Sequence, residues 1–403
     1  MQIAFIHPRF PSAEGTGATH SATQIVTGLA DAGHDITVYC LEEPDKGAEI
    51  SGLKLRHLSG HSKHPHTDTR LNREILAHLD KLREFDIVHS YLMSLIPSIA
   101  RVGEDPAVKT VVTLNAYGGT CAKNDLLYMN EEQCQSKSTR KCLNCIAQSG
   151  FENDEYGYLY QSASKLLSLR LIDKGESRLK HIDAFRAPSE HVRDNYVQFG
   201  YDRDKISVIP HPIDDDFRVS HQSDFAEPYK LLYVGALSKH KGVDKLLPIL
   251  AGVNQHETNF ELTIVGTGGM EETLREQAEE LDVMESVDFA GFVPNKELPS
   301  VYAHHDLFVF PALWEEPLAR VYLESLAAGT PIITSEYGSI ADIVGEAGWL
   351  TDGSIADFQE TLIECVKTNA LPEMSAAAET QVEQFHLESV IDRIESMYNE
   401  TVE

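Results

Sequence analysis

Basic side chains are scarce in this chain of 403 residues: 34 lysines and arginines stand against 63 aspartates and glutamates, a formal net charge of −29. That balance excludes a broad nucleic-acid-binding face, which needs clustered cations to meet phosphates. An anionic ligand would also need its own local cations. Because surface acid keeps proteins soluble in concentrated salt, we expect a halophilic source; an acidic protein of an ordinary cytoplasm is the alternative.

Long apolar runs are also missing, since no stretch approaches the ~20 apolar residues that cross a bilayer. The first ten residues lack the basic start and the long apolar core of a secretion signal. We therefore expect a cytoplasmic protein, with peripheral contact at the inner face of the cell membrane left open. A basic helical stretch from Tyr156 to Leu179 favours such contact, and a solvated helix is the alternative.

Low-complexity tracts are absent as well, and 42% hydrophobic with 24% charged residues is the composition of a folded chain. The length exceeds one ordinary core, so two domains are expected. Strand-like runs alternate with helical stretches twice, on either side of a linker at 210–228. We predict an α/β fold of two doubly wound, Rossmann-like domains facing across a cleft, at 1–214 and 228–372, with helices at 373–403 packing back.

The predicted strands are short β-branched runs, and the first predicted helix spans Thr19 to Ala32. In the first domain the strands are Ile3 to Ile6, Ile36 to Cys40, Ile87 to His89, Thr110 to Leu114, Ala184 to Ala187 and Ile206 to Ile209. In the second they are Leu231 to Val234, Glu261 to Val265, Val287 to Ala290, Leu307 to Phe310 and Ile332 to Thr334. Sheets of this kind bind ligands beyond the carboxyl ends of their strands.

The segment from Pro311 to Pro331 has the most informative pattern, with Glu316 just before a predicted helix and Glu324 two turns inside it. The two carboxylates share a face about 12 Å apart by helical rise. That separation is too long for a glycosidase pair. It matches two ends of an extended ligand such as a sugar nucleotide, with the diphosphate at the helix N-terminus between them. A surface glutamate and an unrelated helical glutamate are the alternative.

The whole segment resembles the Glu-x7-Glu signature of family 4 retaining glycosyltransferases of the GT-B fold, and the resemblance covers nearly the full chain. It implies a nucleotide-diphosphate sugar donor, a glycan or lipid-linked acceptor, transfer of a hexose-type sugar with retention, and no metal required for catalysis. It also implies that Glu316 orients the donor sugar and Glu324 holds the ribose, with Ala319 and Arg320 in the donor site.

The stretch from Tyr233 to Asp244 resembles the family's strand and basic loop, where an arginine and a lysine bind the donor diphosphate. Gly235 ends that strand, and Lys241 falls on the lysine position. Ala236 occupies the arginine position, although a methyl group cannot replace a bidentate guanidinium. The candidates for supplying the missing charge are Lys239, His240 and Arg320.

Three further stretches match family landmarks. Gly15-Thr-Gly17 resembles the glycine loop where backbone approaches the donor or acceptor, although a plain turn is an equal alternative. Val293 ends a stretch whose family counterpart meets the nucleobase. Asn115 stands where the family has a histidine near the transferred sugar, and asparagine can exchange hydrogen bonds but cannot shuttle a proton.

Four of the six cysteines, Cys121, Cys134, Cys142 and Cys145, fall in one segment with gaps of 12, 7 and 2 residues. Four thiolates with a close pair suit a structural zinc, while disulfides, unpaired thiols and an iron–sulfur cluster remain open. A subset of the resembling family has the same cysteine-rich insertion, here 121–145. Cys40 and Cys365 are expected to be buried apolar residues.

Two other functions compete with transfer. A non-catalytic nucleotide-sugar-binding protein of the same fold is favoured by Ala236 and Asn115. A nicotinamide-dependent oxidoreductase also uses doubly wound sheets, but it needs Gly-x-Gly-x-x-Gly directly after a strand. After Gly266 and Gly268 the third position is Glu271, which disfavours that class.

Overall fold

The computed structural model describes residues 1–9, 17–41, 52–129, 132–149, 157–256, 258–313, 319–338 and 340–403. It divides into two compact units, Met1–Pro212 with Val390–Glu403, and Ile213–Ser389. Residues 373–389, predicted with the C-terminal helices, belong to the second unit. Ile213 shows why: its amide donates to the Phe385 carbonyl at 2.9 Å, and both side chains are buried in one core.

The first unit is built on a parallel sheet, in which seven strands of the described residues follow the order β3-β2-β1-β4-β5-β8-β9. The central strands are continuous apolar runs buried on both faces, as parallel strands covered by crossover helices must be. These strands are β1 Gln2–Ile6, β2 Asp35–Cys40, β3 Leu53–His57, β4 Ile87–Ser90, β5 Lys109–Thr113, β8 Ala184–Ala187 and β9 Ile206–Val208, and a separate antiparallel pair is β6 Leu127–Tyr128 with β7 Glu132–Gln133.

The second unit repeats this architecture with six parallel strands among the described residues, in the order β12-β11-β10-β13-β14-β15. They are β10 Tyr229–Val234, β11 Phe260–Val265, β12 Val287–Gly291, β13 Leu307–Phe310, β14 Ile332–Ser335 and β15 Gly348–Thr351. The strand order reverses between β10 and β13. In doubly wound sheets a reversal of this kind opens a crevice at the carboxyl ends of the two strands.

Helices cover both sheets and connect their strands. In the first unit they are α1 Gly17–Asp31, α2 Thr67–Ala77, α3 Leu79–Leu82, α4 Ile96–Val102, α5 Thr139–Ser149, α6 Tyr158–Glu176 and α7 Glu190–Gln198. The later helices are α8 Leu246–Val253, α9 Glu271–Glu280, α10 Leu298–Ala303, α11 Arg320–Ala327, α12 Ile340–Val344, α13 Ile355–Lys367, α14 Leu371–Gln381 and α15 Leu387–Val402. Among the described helices, none combines the length and the apolar character needed to span a membrane.

The predicted fold class of two doubly wound α/β domains is confirmed. Sequence reasoning missed the short pair β6–β7 and one edge strand of each parallel sheet, β3 and β15. β3 alternates leucine with exposed lysine and arginine, so it carries no apolar run. β15 begins at Gly348, which reads as a turn residue. A Cβ there would lie 2.0 Å from the Ile332 carbonyl oxygen, so close pairing with β14 requires glycine inside the strand.

Candidate functional site

The carboxyl ends of β10, β11 and β12 are joined through the backbone of glycines. The amide of Gly235 donates to the Val265 carbonyl at 3.0 Å, and the amide of Gly266 donates to the Gly291 carbonyl at 2.8 Å. Gly266 has a φ of +135°, and a Cβ there would lie 1.8 Å from the Gly235 oxygen. The ends of the three strands therefore pack main chain against main chain, and Gly266 has no space for a side chain.

Lys241 lies at the point where the strand order reverses. It ends a short 3₁₀ turn, Lys239–Lys241, and Gly242 follows with a φ of +72°. A Cβ on Gly242 would lie 1.7 Å from the carbonyl oxygen of Pro311, the residue directly after β13. The loop after β10 is therefore packed against the end of β13, and this packing brings Lys241 Nζ to 5.7 Å from the centre of the Phe310 ring, within cation–π range.

Buried aromatic rings hold this part of the site in place. Phe310 stacks on Tyr233 with ring centres 5.5 Å apart and meets Tyr322 edge-on at 5.3 Å. The Tyr233 hydroxyl donates to the Ala236 carbonyl at 3.0 Å. Ala236 is exposed at the position where the family has arginine. The hydrogen bond from Tyr233 holds its backbone in place.

Helix α11 begins at Arg320, with Ala319 as its N-cap. Alanine has no side-chain oxygen to accept from the first amides of a helix, and Ala319 makes no side-chain cap hydrogen bond. The positive end of the helix dipole at this start would favour an anion. Glu316, the predicted sugar-orienting residue, lies outside the described residues.

Glu324 is the buried centre of a polar network in the second unit, with 6% of its surface exposed. The Tyr302 hydroxyl donates to Glu324 Oε2 at 3.2 Å, and Arg320 Nε lies 3.8 Å from Oε1. Arg320 also contacts Asp214 Oδ2 through Nη2 at 3.3 Å. Burial, reinforced by the Glu324 charge, raises the pKa of Tyr302 well above its usual value, so the phenol stays a donor. The carboxylate is therefore partnered and fixed in position.

The remaining predicted donor residue, Val293, is half-buried and follows β12 at the same edge of the sheet. The sequence analysis missed Tyr302 and the pairing of Asp214 with Arg320. Both are contacts between residues distant in the chain, 22 positions apart for Tyr302 with Glu324 and 106 for Asp214 with Arg320.

In the first unit, the strand ends carry neutral side chains. Asn115 is half-buried, two residues after β5. His89 on β4 is fully buried, and its Nε2 lies 2.7 Å from the Thr113 hydroxyl. Burial lowers the pKa of His89 to about 3 and that of His7, just after β1, to about 4. Gly17 begins α1, and the other predicted loop residue, Gly15, lies outside the described residues.

Comparison with known families agrees with this geometry. The family model described as Glycosyltransferase Family 4 matches residues 15–217, half of the chain, and the model described as Glycosyl transferases group 1 matches residues 216–382. The chain belongs to Glycosyltransferase Family 4. This match confirms the predicted glycosyltransferase family, while retention and the subset with the cysteine-rich insertion stay predictions.

Individual relatives of this glycosyltransferase are similar at modest identity. Spore coat protein SA of Bacillus subtilis is 25% identical over 360 residues, 86% of this chain and 84% of that protein. A GDP-mannose-dependent alpha-(1-6)-phosphatidylinositol monomannoside mannosyltransferase of Mycolicibacterium smegmatis is 31% identical over 172 residues, 41% of this chain and 44% of that one. The crystal structure of Anabaena HepE in complex with UDP matches with a TM-score of 0.71 at 16% identity, over 99% of this chain and 100% of that chain, which supports the GT-B fold.

The four clustered cysteines of the glycosyltransferase line one cavity of about 30 Å³ in the first unit, and none of the four forms a disulfide. Cys142 and Cys145 are three residues apart on α5 and share its face. Cys121 Sγ donates to Asp125 at 3.7 Å, and burial raises the pKa of this thiol to about 11. Within the described residues, no three of these sulfurs lie within 4.8 Å of one another, so the thiols as arranged do not form a tetrahedral metal site.

Proposed function

We propose that this glycosyltransferase moves a hexose-type sugar from a nucleotide-diphosphate sugar to a glycan or lipid-linked acceptor, with retention of configuration. The observation that carries the proposal is the position of Lys241 between the ends of β10 and β13, where the strand order reverses. Ligands of doubly wound sheets bind at this position. A cation there suits a diphosphate.

Lys241 and the amides at the start of α11 would stabilise the negative charge that develops on the departing nucleotide. Stabilisation of a leaving group by fixed cations and dipoles is among the largest contributions to catalysis. It matters more here than in most proteins, because a net charge of −29 repels an anionic ligand at long range. Arg320 lies in the first turn of α11, and its guanidinium also contacts the carboxylates of Asp214 and Glu324.

The acidic residues would hold the two ends of the donor. Glu324 has lone pairs beyond those used by Tyr302 and Arg320, so it can accept from ribose hydroxyls. Glu316 would orient the sugar. The nucleotide would lie over the backbone at Gly235 and near Val293, where side-chain bulk is absent or small.

Retention follows from substitution on one face of the sugar. The bond between the anomeric carbon and the phosphate oxygen breaks, and the acceptor oxygen forms its bond on the same face. The acceptor proton passes to the departing phosphate oxygen, so the products are a glycoside and a nucleoside diphosphate. This route uses no covalent enzyme intermediate and no catalytic metal; Asn115 and Gly17 would contact the sugar or acceptor through hydrogen bonds alone.

The donor is tested by thermal unfolding in molar KCl with uridine, guanosine and adenosine diphosphate sugars, for the native chain and Glu324→Ala. A ligand at one hundred times its Kd adds about 2.7 kcal/mol. A stabilising shift with one nucleotide class, absent in the variant, supports the proposal, and no shift with any donor contradicts it. The HepE structure holds UDP and the mycobacterial relative is GDP-mannose-dependent, so both nucleotides belong in the panel. Unfolding in dilute buffer tests the predicted halophilic source.

The proposed lipid-linked acceptor and peripheral membrane contact rest on the basic helix α6 and on the mycobacterial relative, whose name specifies a phosphatidylinositol acceptor. Leu159 near the start of α6 is 81% exposed. Co-sedimentation with anionic vesicles, lost in high salt, is the expected result, and an unchanged supernatant contradicts the contact.

A non-catalytic sugar-nucleotide-binding protein is the second candidate, favoured by Ala236 and Asn115. Donor binding without release of nucleoside diphosphate, in the presence of a broad acceptor panel, would identify it.

For the cysteine cavity we propose a structural zinc, supported by the four thiols that surround one space. Zinc binding would have to draw the sulfurs together. Metal analysis of the purified protein tests this: less than about a tenth of an equivalent, with thiols free to react, defeats the proposal.

A further inference from the structure

A second group of metal-ligating side chains lies in the first unit, on the loop after β3 and at the end of α2. His61, Glu74 and His78 each offer one ligand atom, and these atoms lie within 4.8 Å of one another. We propose that these three residues bind a divalent transition metal, with zinc as the best fit. Two imidazoles and one carboxylate form a set that zinc uses in proteins.

The helix presents two of the ligands together. Glu74 and His78 are four residues apart, one turn of α2, so their side chains share a face. His78 Nδ1 lies 2.8 Å from the backbone carbonyl of Glu74. A carbonyl only accepts, so Nδ1 carries the ring proton and Nε2 keeps its lone pair. A ligating histidine is usually oriented by a hydrogen bond of this kind.

The third ligand comes from the loop and is held to the same carboxylate. The His61 amide donates to Glu74 Oε1 at 3.0 Å, and its Nδ1 lies 3.1 Å from Oε2. The Ser62 amide donates to Oε1 at 2.6 Å. Glu74 is fully buried, so its position is fixed before any ion arrives.

The two imidazoles lie close to the carboxylate and to each other. The rings of His61 and His78 have centres 5.1 Å apart at an angle of 84°. The side chain of His61 is 54% exposed, which gives an ion a route from solvent and leaves room for water as a fourth ligand. A metal bound between Glu74 Oε2 and His61 Nδ1 replaces the proton shared there, and the ring proton then sits on Nε2.

The alternative is a hydrogen-bonded contact that fastens the loop to α2 without metal. The two backbone donors to Oε1 serve that purpose equally well. It does not require three ligand atoms, one from each residue, to lie within 4.8 Å of one another, and this convergence is the feature that the proposal explains. The metal would fasten the loop at residues 58–62 to α2, so its role is structural.

The test uses the full-length chain in which all four cysteines of the cavity, Cys121, Cys134, Cys142 and Cys145, are replaced by serine, which removes the competing cluster. After chelator treatment and dialysis, Zn²⁺ is titrated by calorimetry, and Co²⁺ is added separately to record its visible spectrum. We expect one equivalent of Zn²⁺ to bind, and affinity to fall at least about tenfold in each of His61→Asn and His78→Asn. The Co²⁺ spectrum should indicate nitrogen and oxygen ligands.

His256→Asn is the matched control, because His256 is an exposed histidine in the second unit. It should bind Zn²⁺ as the parent does. Glu74→Gln is avoided, since the buried carboxylate also accepts from the loop backbone. Equal circular dichroism of the metal-free variants excludes misfolding. The proposal is overturned if the parent binds no Zn²⁺ or if the double variant His61→Asn with His78→Asn binds it unchanged.

Discussion

At the carboxyl ends of its strands, the second unit presents a lysine, an arginine and a buried carboxylate, whereas the first unit has two neutral histidines and an asparagine, and its Arg186 on β8 is fully buried. In the second unit, Lys241 lies over Phe310 and Glu324 is fixed by Tyr302 and Arg320. In the first, burial keeps His7 and His89 uncharged at neutral pH. The charged half suits a diphosphate that leaves as an anion, and the neutral half suits hydroxyl groups.

The difference also explains how an acidic chain can bind an anionic donor. Its global charge is repulsive, so attraction has to come from a few fixed groups at short range, where the low dielectric of a packed site strengthens each contact. A lysine held over an aromatic ring and a helix start without a side-chain cap are such groups. The predictions below challenge this contrast, beginning with the largest expected effect.

Lys241→Ala should lower turnover by about 10²-fold to 10³-fold, because it removes the cation facing the departing diphosphate. Steady-state release of nucleoside diphosphate measures the effect. Lys367→Ala is the control, since Lys367 is an exposed lysine of the same unit at the end of α13. Equal activity of Lys241→Ala and the control would remove Lys241 from the site.

Acidification should destabilise the first unit before the second. The pKa of His7 falls from 6.5 to about 4 on folding, and that of His89 to about 3. Between pH 6.5 and these values, the unfolded chain binds protons that the folded chain does not. Stability present at neutral pH is therefore lost as the pH falls, by about 3 kcal/mol for a shift of the His7 size.

Tryptophan fluorescence makes this order measurable. Trp349 belongs to the second unit, so in a Trp314→Phe background its fluorescence follows that unit, whereas circular dichroism follows both. At pH 7.5 the urea midpoints of fluorescence and circular dichroism should lie closer together than at pH 4.5. At pH 4.5 the circular dichroism should change at the lower urea concentration. Fluorescence changing first at pH 4.5 would reverse the expected order of stability. His7→Asn should bring the two urea midpoints at pH 4.5 closer together.

Glu324→Gln should weaken donor binding about tenfold and cost about 1–3 kcal/mol of folding stability. The carboxamide keeps the size of the side chain but removes the charge that faces Arg320. It also leaves the buried Tyr302 hydroxyl with a weaker acceptor. Calorimetric titration with the nucleoside diphosphate and urea unfolding measure the two effects. Glu364→Gln, at an exposed position of α13, is the control. A loss of stability with unchanged donor affinity would make Glu324 a purely structural residue.

Sequence reasoning predicted the inner strands of both sheets, because parallel strands covered on both faces are rich in apolar residues, and also the edge strands β9 and β12. It missed β3 and β15, because an edge strand can carry lysine, arginine or glycine. Lys241 was found by its place in a family pattern. Its distance from Phe310 depends on the packing of Gly242 against Pro311, which links two loops far apart in sequence.

The cysteine cavity and the group of His61, Glu74 and His78 show the same limit of sequence-based prediction. The spacing of Cys142 and Cys145 is visible in the sequence, and the structure does bring all four cysteines to one cavity. Glu74 and His78 also have a helical spacing that can be read directly. The approach of His61 to them could not be predicted, because it depends on the path of the loop after β3.

Ala236→Arg should have the smallest effect of these substitutions, a change in donor affinity. It is also the most direct test of the contrast between the two units. Ala236 is exposed and its carbonyl is held by Tyr233, so a longer side chain fits without disturbing the core. The guanidinium would add a charge-assisted hydrogen bond to the diphosphate and raise donor affinity about tenfold. Calorimetric titration with nucleoside diphosphate measures this gain.

Two controls at the same position separate charge from geometry. Ala236→Lys should gain less than the arginine variant, because a point charge makes no bidentate contact, and Ala236→Gln should gain least. If arginine has no effect, the charge at this position is already supplied by neighbouring cations such as Lys239. Higher affinity without higher turnover would favour a sugar-nucleotide-binding protein, since a cation bound equally to donor and transition state does not speed the reaction.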